Sequence, residues 1–183
     1  MNKSNCFIIT GGPCAGKTTT INVIKDFGFN VKYELGTQII QEGQLFPYHN
    51  RHKFQEEIFL RRKRLEDNIS HSADVYFLER GFPDGQAYYL IDNLTPPDYF
   101  QMLDLSHYKI VFLLEELPFF ENNGIRWENR EFSQKLNKLL LQSYQKHNLP
   151  VFHIPYAEPK LRVKLIFEII AQTFPNIKCP VQF

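Results

Sequence analysis

Three glycines, a lysine and a threonine fall within eight residues near the start of the chain: Gly11-Gly12-Pro13-Cys14-Ala15-Gly16-Lys17-Thr18. The run fits the pattern G-x-x-x-x-G-K-[ST], whose residue types are those needed to hold a polyphosphate. Glycine adopts positive φ without strain and carries no Cβ, so successive N–H groups can turn inward toward phosphate oxygens. Lys17 supplies a charge for the β- and γ-phosphates, and Thr18 a hydroxyl for Mg²⁺. With Thr19 included, residues 11–19 form a candidate nucleoside-triphosphate cradle for ATP and Mg²⁺. A chance match in a chain of this length is on the order of one per cent or less, given glycine at about 7% of average sequence.

Such a cradle works only between a strand that delivers it and a helix whose N-terminal N–H groups and dipole favour an anion. Both are present in pattern: the apolar run Cys6-Phe7-Ile8-Ile9 precedes it, and a helical stretch over 17–27, closed by Gly28, follows. Further along, short apolar runs at 74–79, 109–114 and 150–154, with a weaker one at 29–33, alternate with helical patterns. The helices are expected at 36–44, 53–71, 83–93, 130–147 and 159–173. This alternation predicts an α/β fold with a parallel sheet and helices on both faces. The chain is expected to form a single domain over residues 1–183, with Pro96-Pro97 and Pro118 as breaks between elements.

In an open parallel sheet, ligands bind beyond the carboxyl ends of the strands. The residues that close each strand are therefore the candidates for chemistry: Glu34, Glu79-Arg80, Glu115 and the segment 155–160. Glu79 can reach Mg²⁺ or its waters beside Thr18, with Glu115 as the rival for that role, and Arg80 can face an anionic substrate. Glu34 can orient a substrate hydroxyl or take its proton; it is also an ordinary charge ahead of a helix. Arg126 and Arg130 are four residues apart, so on a helix they share one face and can close over phosphates, though Glu128 and Glu131 flank Arg130. Arg61 or Arg62 interrupts the apolar stripe Phe54, Ile58, Leu65, Ile69, and reads as a solvated helix turn or as a cation at a cleft. His49 and His52 lack partners at metal-ligand spacing, and Phe46, Tyr48, Tyr99 and Phe119 are base-stacking or core aromatics.

Lys and Arg number 21 against 20 Asp and Glu, which leaves no overall basic surface for duplex nucleic acid. Cys6, Cys14 and Cys179 are too few for a disulfide framework, and no apolar run approaches membrane-spanning length. A soluble cytoplasmic protein is expected.

Taken together, Gly11 to Thr18, Glu34, Leu78-Glu79-Arg80-Gly81 with Asp84 and Tyr88, and Gly124-Ile125-Arg126-Trp127-Glu128 ahead of a Tyr144-bearing helix resemble the small AAA_28-type P-loop ATPases. That family is similar to the P-loop kinases, including the ribosylnicotinamide kinase domain and deoxynucleoside kinases. The resemblance implies a three-layer P-loop NTPase sandwich with a five-stranded sheet in the order 2-3-1-4-5, a short lid at about 118–132, and adenine contacts near 155–160. Thr37 stands where the family commonly has Arg, and Glu79 where Asp is usual. The implied activity is ATP- and Mg²⁺-dependent phosphoryl transfer to a nucleoside- or nucleotide-like acceptor. The alternative is a regulatory P-loop NTPase or switch; the chain carries no [NT]-K-x-D run for reading guanine.

Overall fold

The computed structural model describes residues 4–43, 45–69, 74–116 and 130–180, the side chain of Arg130 excepted. Strand β1 (Asn5–Thr10) leads through the glycine-rich loop into α1 (Lys17–Asp26), which returns to β2 (Asn30–Lys32). Helices α2 (Leu35–Gln41) and α3 (Arg51–Ile69) precede β3 (Val75–Glu79). Then come α4 (Phe82–Ile91), a 3₁₀ turn (Asp98–Met102), β4 (Tyr108–Leu114), α5 (Arg130–Lys146), β5 (Val151–Ile154) and α6 (Pro159–Thr173). All four strand pairings are parallel, in the order β2-β3-β1-β4-β5, which is the order the resemblance implies. The expected elements stand within a few residues of their positions. The 3₁₀ turn was hidden behind Pro96-Pro97, which reads as a break because proline removes a donor and fixes φ.

Strand alternation divides the core. Phe7, Ile9, Phe77, Ile110, Phe112, Leu114 and Ile154 face α1 and α6 and meet Ile21, Ile24, Val163, Ile166, Phe167 and Ile170. Cys6, Ile8, Leu78 and Val111 face the other way, toward Phe59, Phe82, Tyr89 and Tyr144, while Leu113 meets Leu136 and Leu140 of α5. The same period of two aims the last polar residues of the strands. Glu79 shares the face of Phe77 and so points to α1; Thr10 shares the face of Ile8 and so points to α4. Because β1 is central and the chain leaves it toward opposite edges, the carboxyl ends of β1, β3 and β4 open a crevice at the switch point.

Phe167 joins the layers on the α1/α6 face, with its ring 5.6 Å from Phe27, 5.1 Å from Phe29 and 6.1 Å from Phe77. Phe167→Ala is expected to cost about 3–5 kcal/mol by transfer and cavity terms. Urea unfolding checks this: the midpoint should fall with an unchanged slope, and an unchanged midpoint contradicts the packing described.

Candidate active site

The loop leaves β1 at Gly11, whose φ of +146° is open to glycine and strained for other residues. A Cβ there would lie 2.8 Å from the carbonyl oxygen of Leu114, so β4 blocks any side chain. Gly12 is equally confined, because a Cβ would run into Ser133 Oγ on α5. The Gly12 N–H donates to Asn137 Oδ1 at 2.8 Å, and Asn137 Nδ2 donates to Glu116 at 3.3 Å. Lys17 folds back over the loop and donates from Nζ to the Gly12 carbonyl at 2.8 Å. It is buried, and that burial, followed by the neighbouring Arg80, pulls its pKa down to about 8, with Glu34, Glu79 and Asp84 acting against the shift.

Thr18 Oγ1 donates to Glu79 Oε1 at 2.8 Å, so the end of β3 and the first turn of α1 bring two oxygen donors to one point. Oxygen ligands of this kind suit a hard divalent cation. Glu115 is placed elsewhere: its Oε2 accepts from the Tyr156 N–H at 3.4 Å, and its carbonyl from Arg162 at 2.8 Å. Of the two acids weighed for the metal, Glu79 is the one beside Thr18.

Arg80 follows with a φ of +69°, a conformation costing non-glycine residues on the order of 1–3 kcal/mol. Its backbone is held on both sides, by Arg80 N–H to Ile9 O at 3.0 Å and by Arg62 to Arg80 O at 2.8 Å. Its guanidinium donates to Glu34 at 2.8 Å and to Asp84 at 3.0 Å, and lies 5.2 Å from the Tyr88 ring centre. Glu34 thus sits at the N-terminus of α2 and also in the cleft, where Thr37 Oγ1 donates to its second oxygen at 3.3 Å. Asp84 was quoted only as part of the resemblance, yet it is the most heavily bonded group here. It accepts from Thr10 Oγ1 at 2.7 Å, Arg80 at 3.0 Å, the Gly81 N–H at 2.9 Å, and the Tyr144 hydroxyl. Burial, with Asp84 alongside, pushes the Tyr144 phenol far above its usual range, so the hydroxyl stays a donor.

Of Arg61 and Arg62, the second needs correction. Arg62 is neither solvated nor directed at a ligand: it is 3% exposed and donates to the carbonyls of Glu79 and Arg80 and to Glu66. Glu66 in turn accepts from Tyr108, whose hydroxyl also accepts the Phe82 N–H. Arg61 pairs with Glu57 and Glu42. Phe46 and Tyr48 line the cleft, whereas Tyr99 packs on Phe59 with ring centres 4.1 Å apart. Arg126, Phe119 and most of the 118–132 segment lie outside the described residues; of Arg130, only its place at the start of α5 is described. Sequence reasoning missed Asn137 and Arg162, both of which bond to the loop backbone.

A glycine-rich loop between β1 and α1, on a 2-3-1-4-5 parallel sheet, defines the class: this is a P-loop NTPase fold. The chain belongs to the AAA_28 family, described as AAA domain, whose model matches residues 6–162. Among solved structures, thymidylate kinase from Candida albicans is 16% identical with a TM-score of 0.60, covering 99% of this chain and 98% of that one. A NadR protein in complex with NR is 11% identical with a TM-score of 0.73, covering 98% of this chain and 53% of its own. Deoxyadenosine kinase from M. mycoides with bound dATP is 17% identical with a TM-score of 0.61, covering 90% and 98%. No curated protein matches the chain.

Two predictions follow from this geometry. A carboxylate only accepts, so Asp84→Asn must turn an NH₂ toward two of its four donors. The expected loss is about 3–5 kcal/mol, typical of breaking a buried charged pair, read from the urea midpoint; a loss below 1 kcal/mol contradicts the bonding described. With its pKa drawn down to about 8, Lys17 loses its charge progressively between pH 7 and 9, so phosphate binding is expected to weaken over that range. The Kd for inorganic tripolyphosphate should rise about tenfold between pH 7 and 9, with proton uptake on binding, if the protonated amine is the binding form. A flat titration curve contradicts a Lys17 whose binding charge is lost in this range.

Proposed function

We propose that the chain transfers the γ-phosphoryl group of ATP, with Mg²⁺, to a hydroxyl or phosphate of a nucleoside- or nucleotide-like acceptor. The observation that supports this reading is one continuous cleft of about 620 Å³ whose lining extends from the loop to residues of α2, α3 and α4. Its lining includes Gly16, Lys17 and Thr18 of the loop and Glu34, Thr37, Tyr48, Phe54, Gln55 and Tyr88, together with Glu79, which bonds to Thr18, and Arg80, which bonds to Glu34 and Asp84. That volume is in the range of small-molecule sites, with apolar and aromatic walls and a few placed polar groups. Water alone needs no such cleft. Gln55, buried in its wall, adds a side-chain amide suited to a planar acceptor that both donates and accepts hydrogen bonds.

Each residue then has a task. Lys17 neutralises charge on the β- and γ-phosphates, and the loop N–H groups orient them. Thr18 and Glu79 would hold Mg²⁺; the ion, when bound, offsets negative charge that develops on the transferring oxygens. Glu34 accepts the acceptor hydroxyl's proton or fixes its direction, while Arg80, shared between Glu34 and Asp84, meets the anionic group at the junction. Arg126 and Arg130 keep the role read from the sequence, that of arginines closing over the phosphates. The whole chain, 1–183, is taken as one functional unit.

ADP release measured against a panel of nucleosides, nucleotides and phosphorylated metabolites tests the reading. ADP formed only with an acceptor is the expected result; ADP formed at the same rate in water alone makes the chain a hydrolase, and none makes it a nucleotide binder. Glu79→Gln should leave nucleotide affinity within a few-fold and lower turnover by roughly two orders of magnitude, if it serves the metal. Equal turnover in the two proteins removes Glu79 from that role.

A further inference from the structure

Arg162, near the start of α6, is 3% exposed and donates to three backbone carbonyls from three separate segments. Its NH1 reaches Ala15 O in the phosphate loop at 2.6 Å, its NH2 reaches Glu115 O beyond β4 at 2.8 Å, and its Nε reaches Pro155 O after β5 at 3.0 Å. Its guanidinium lies 5.7 Å from the ring centre of Tyr156, and among the described residues no ion pair joins it. Burying a cation is expensive: burial lowers the Arg162 pKa, and the nearby Glu115 carboxylate, which makes no ion pair with it, offsets that shift only in part. A guanidinium in that position needs a reason beyond packing, since an apolar side chain fills space at no such cost.

Peptide planarity gives the reason. In a trans peptide, C=O and N–H point in opposite directions, and no cis bond occurs among the described residues. Pinning Ala15 O against Arg162 on the buried side therefore aims the next N–H, that of Gly16, away from it. Ala15 is fully buried while Gly16 lines the cleft, so the N–H is turned toward the ligand side. The Gly16 N–H donates to no acceptor among the described residues. We propose that Arg162 is a positioning residue of the nucleotide site: by holding the Ala15 carbonyl, it aims the Gly16 N–H at a bound phosphate. This rests on the reading of residues 11–19 as a phosphate cradle, and not on which acceptor is used.

The test uses the full chain, calorimetric titration with inorganic tripolyphosphate and with Mg-ATP, and urea unfolding of wild type, Arg162→Met and Arg162→Lys. Arg162→Met should raise both Kd values by the same factor of about tenfold or more, the usual weight of a hydrogen bond to a charged group. Arg162→Lys keeps the charge and a donor, and should recover part of that loss. In ¹⁵N–¹H spectra the Gly16 amide resonance should move on adding tripolyphosphate to wild type and move far less in Arg162→Met. Wild-type affinity in Arg162→Met, or an undiminished Gly16 displacement, overturns the proposal. If the Met variant does not fold, Arg162→Lys decides: weaker tripolyphosphate binding at an unchanged urea midpoint supports it, and unchanged binding overturns it. A wild-type chain that binds tripolyphosphate but phosphorylates no acceptor strikes the kinase reading and leaves Arg162 standing; one that binds neither ligand ends both.

Discussion

One buried carboxylate ties the site together. Asp84, on α4, accepts hydrogen bonds from Thr10 at the end of β1, from Arg80 and Gly81 after β3, and from Tyr144 on α5. A charge out of water is tolerated only when its lone pairs are taken up, and four donors take up these. The consequence is geometric: the strand that delivers the phosphate loop, the turn that delivers Arg80, and the helix that touches Gly12 all refer to the same two oxygens. The position of Arg80 relative to Lys17 follows from that shared reference.

Behind this carboxylate stand two guanidinium groups that act on backbone rather than on ligand. Arg62 holds the carbonyls of Glu79 and Arg80 and so supports the positive φ of Arg80, while Glu66, Tyr108 and His107 complete its surroundings. Arg162 does the equivalent for Ala15 on the opposite side of the sheet. Guanidinium suits this work because it offers several donors in a fixed fork and stays charged when buried. The strained and glycine-bound parts of the crevice are thus braced from beneath on both faces. Rigid bracing of this kind is what a site needs if its hydrogen-bond donors are to be in place before a substrate arrives.

What the sequence disclosed depended on how far apart the interacting residues lie. The glycine-rich loop is local, so its residue pattern is legible in eight consecutive residues, and the alternation of apolar runs with helical patterns gives the parallel sheet. Glu79 is legible because a strand's period of two and the carboxyl-end rule fix both its side and its end. Arg62 left a signal, since it fell in the gap of an apolar stripe, but the stripe says only that the residue faces inward and not that carbonyls wait there. Arg162 and Asn137 left none: their partners are backbone atoms 147 and 125 residues away, and backbone carries no sequence identity. The strand order came from resemblance, because periodicity is silent on which strand lies beside which.

The central claim is that Lys17 and Arg80 flank the point where a phosphoryl group passes from the loop to an acceptor held in the part of the cleft lined by α2, α3 and α4. A crystal structure with Mg²⁺ and a non-hydrolysable ATP analogue tests it most directly. The account predicts the triphosphate along residues 11–18, the metal at Thr18 and Glu79, and the γ-phosphate in the cleft, within reach of both Lys17 and Arg80. A γ-phosphate turned away from Arg80, or a nucleotide bound outside the loop, would contradict it.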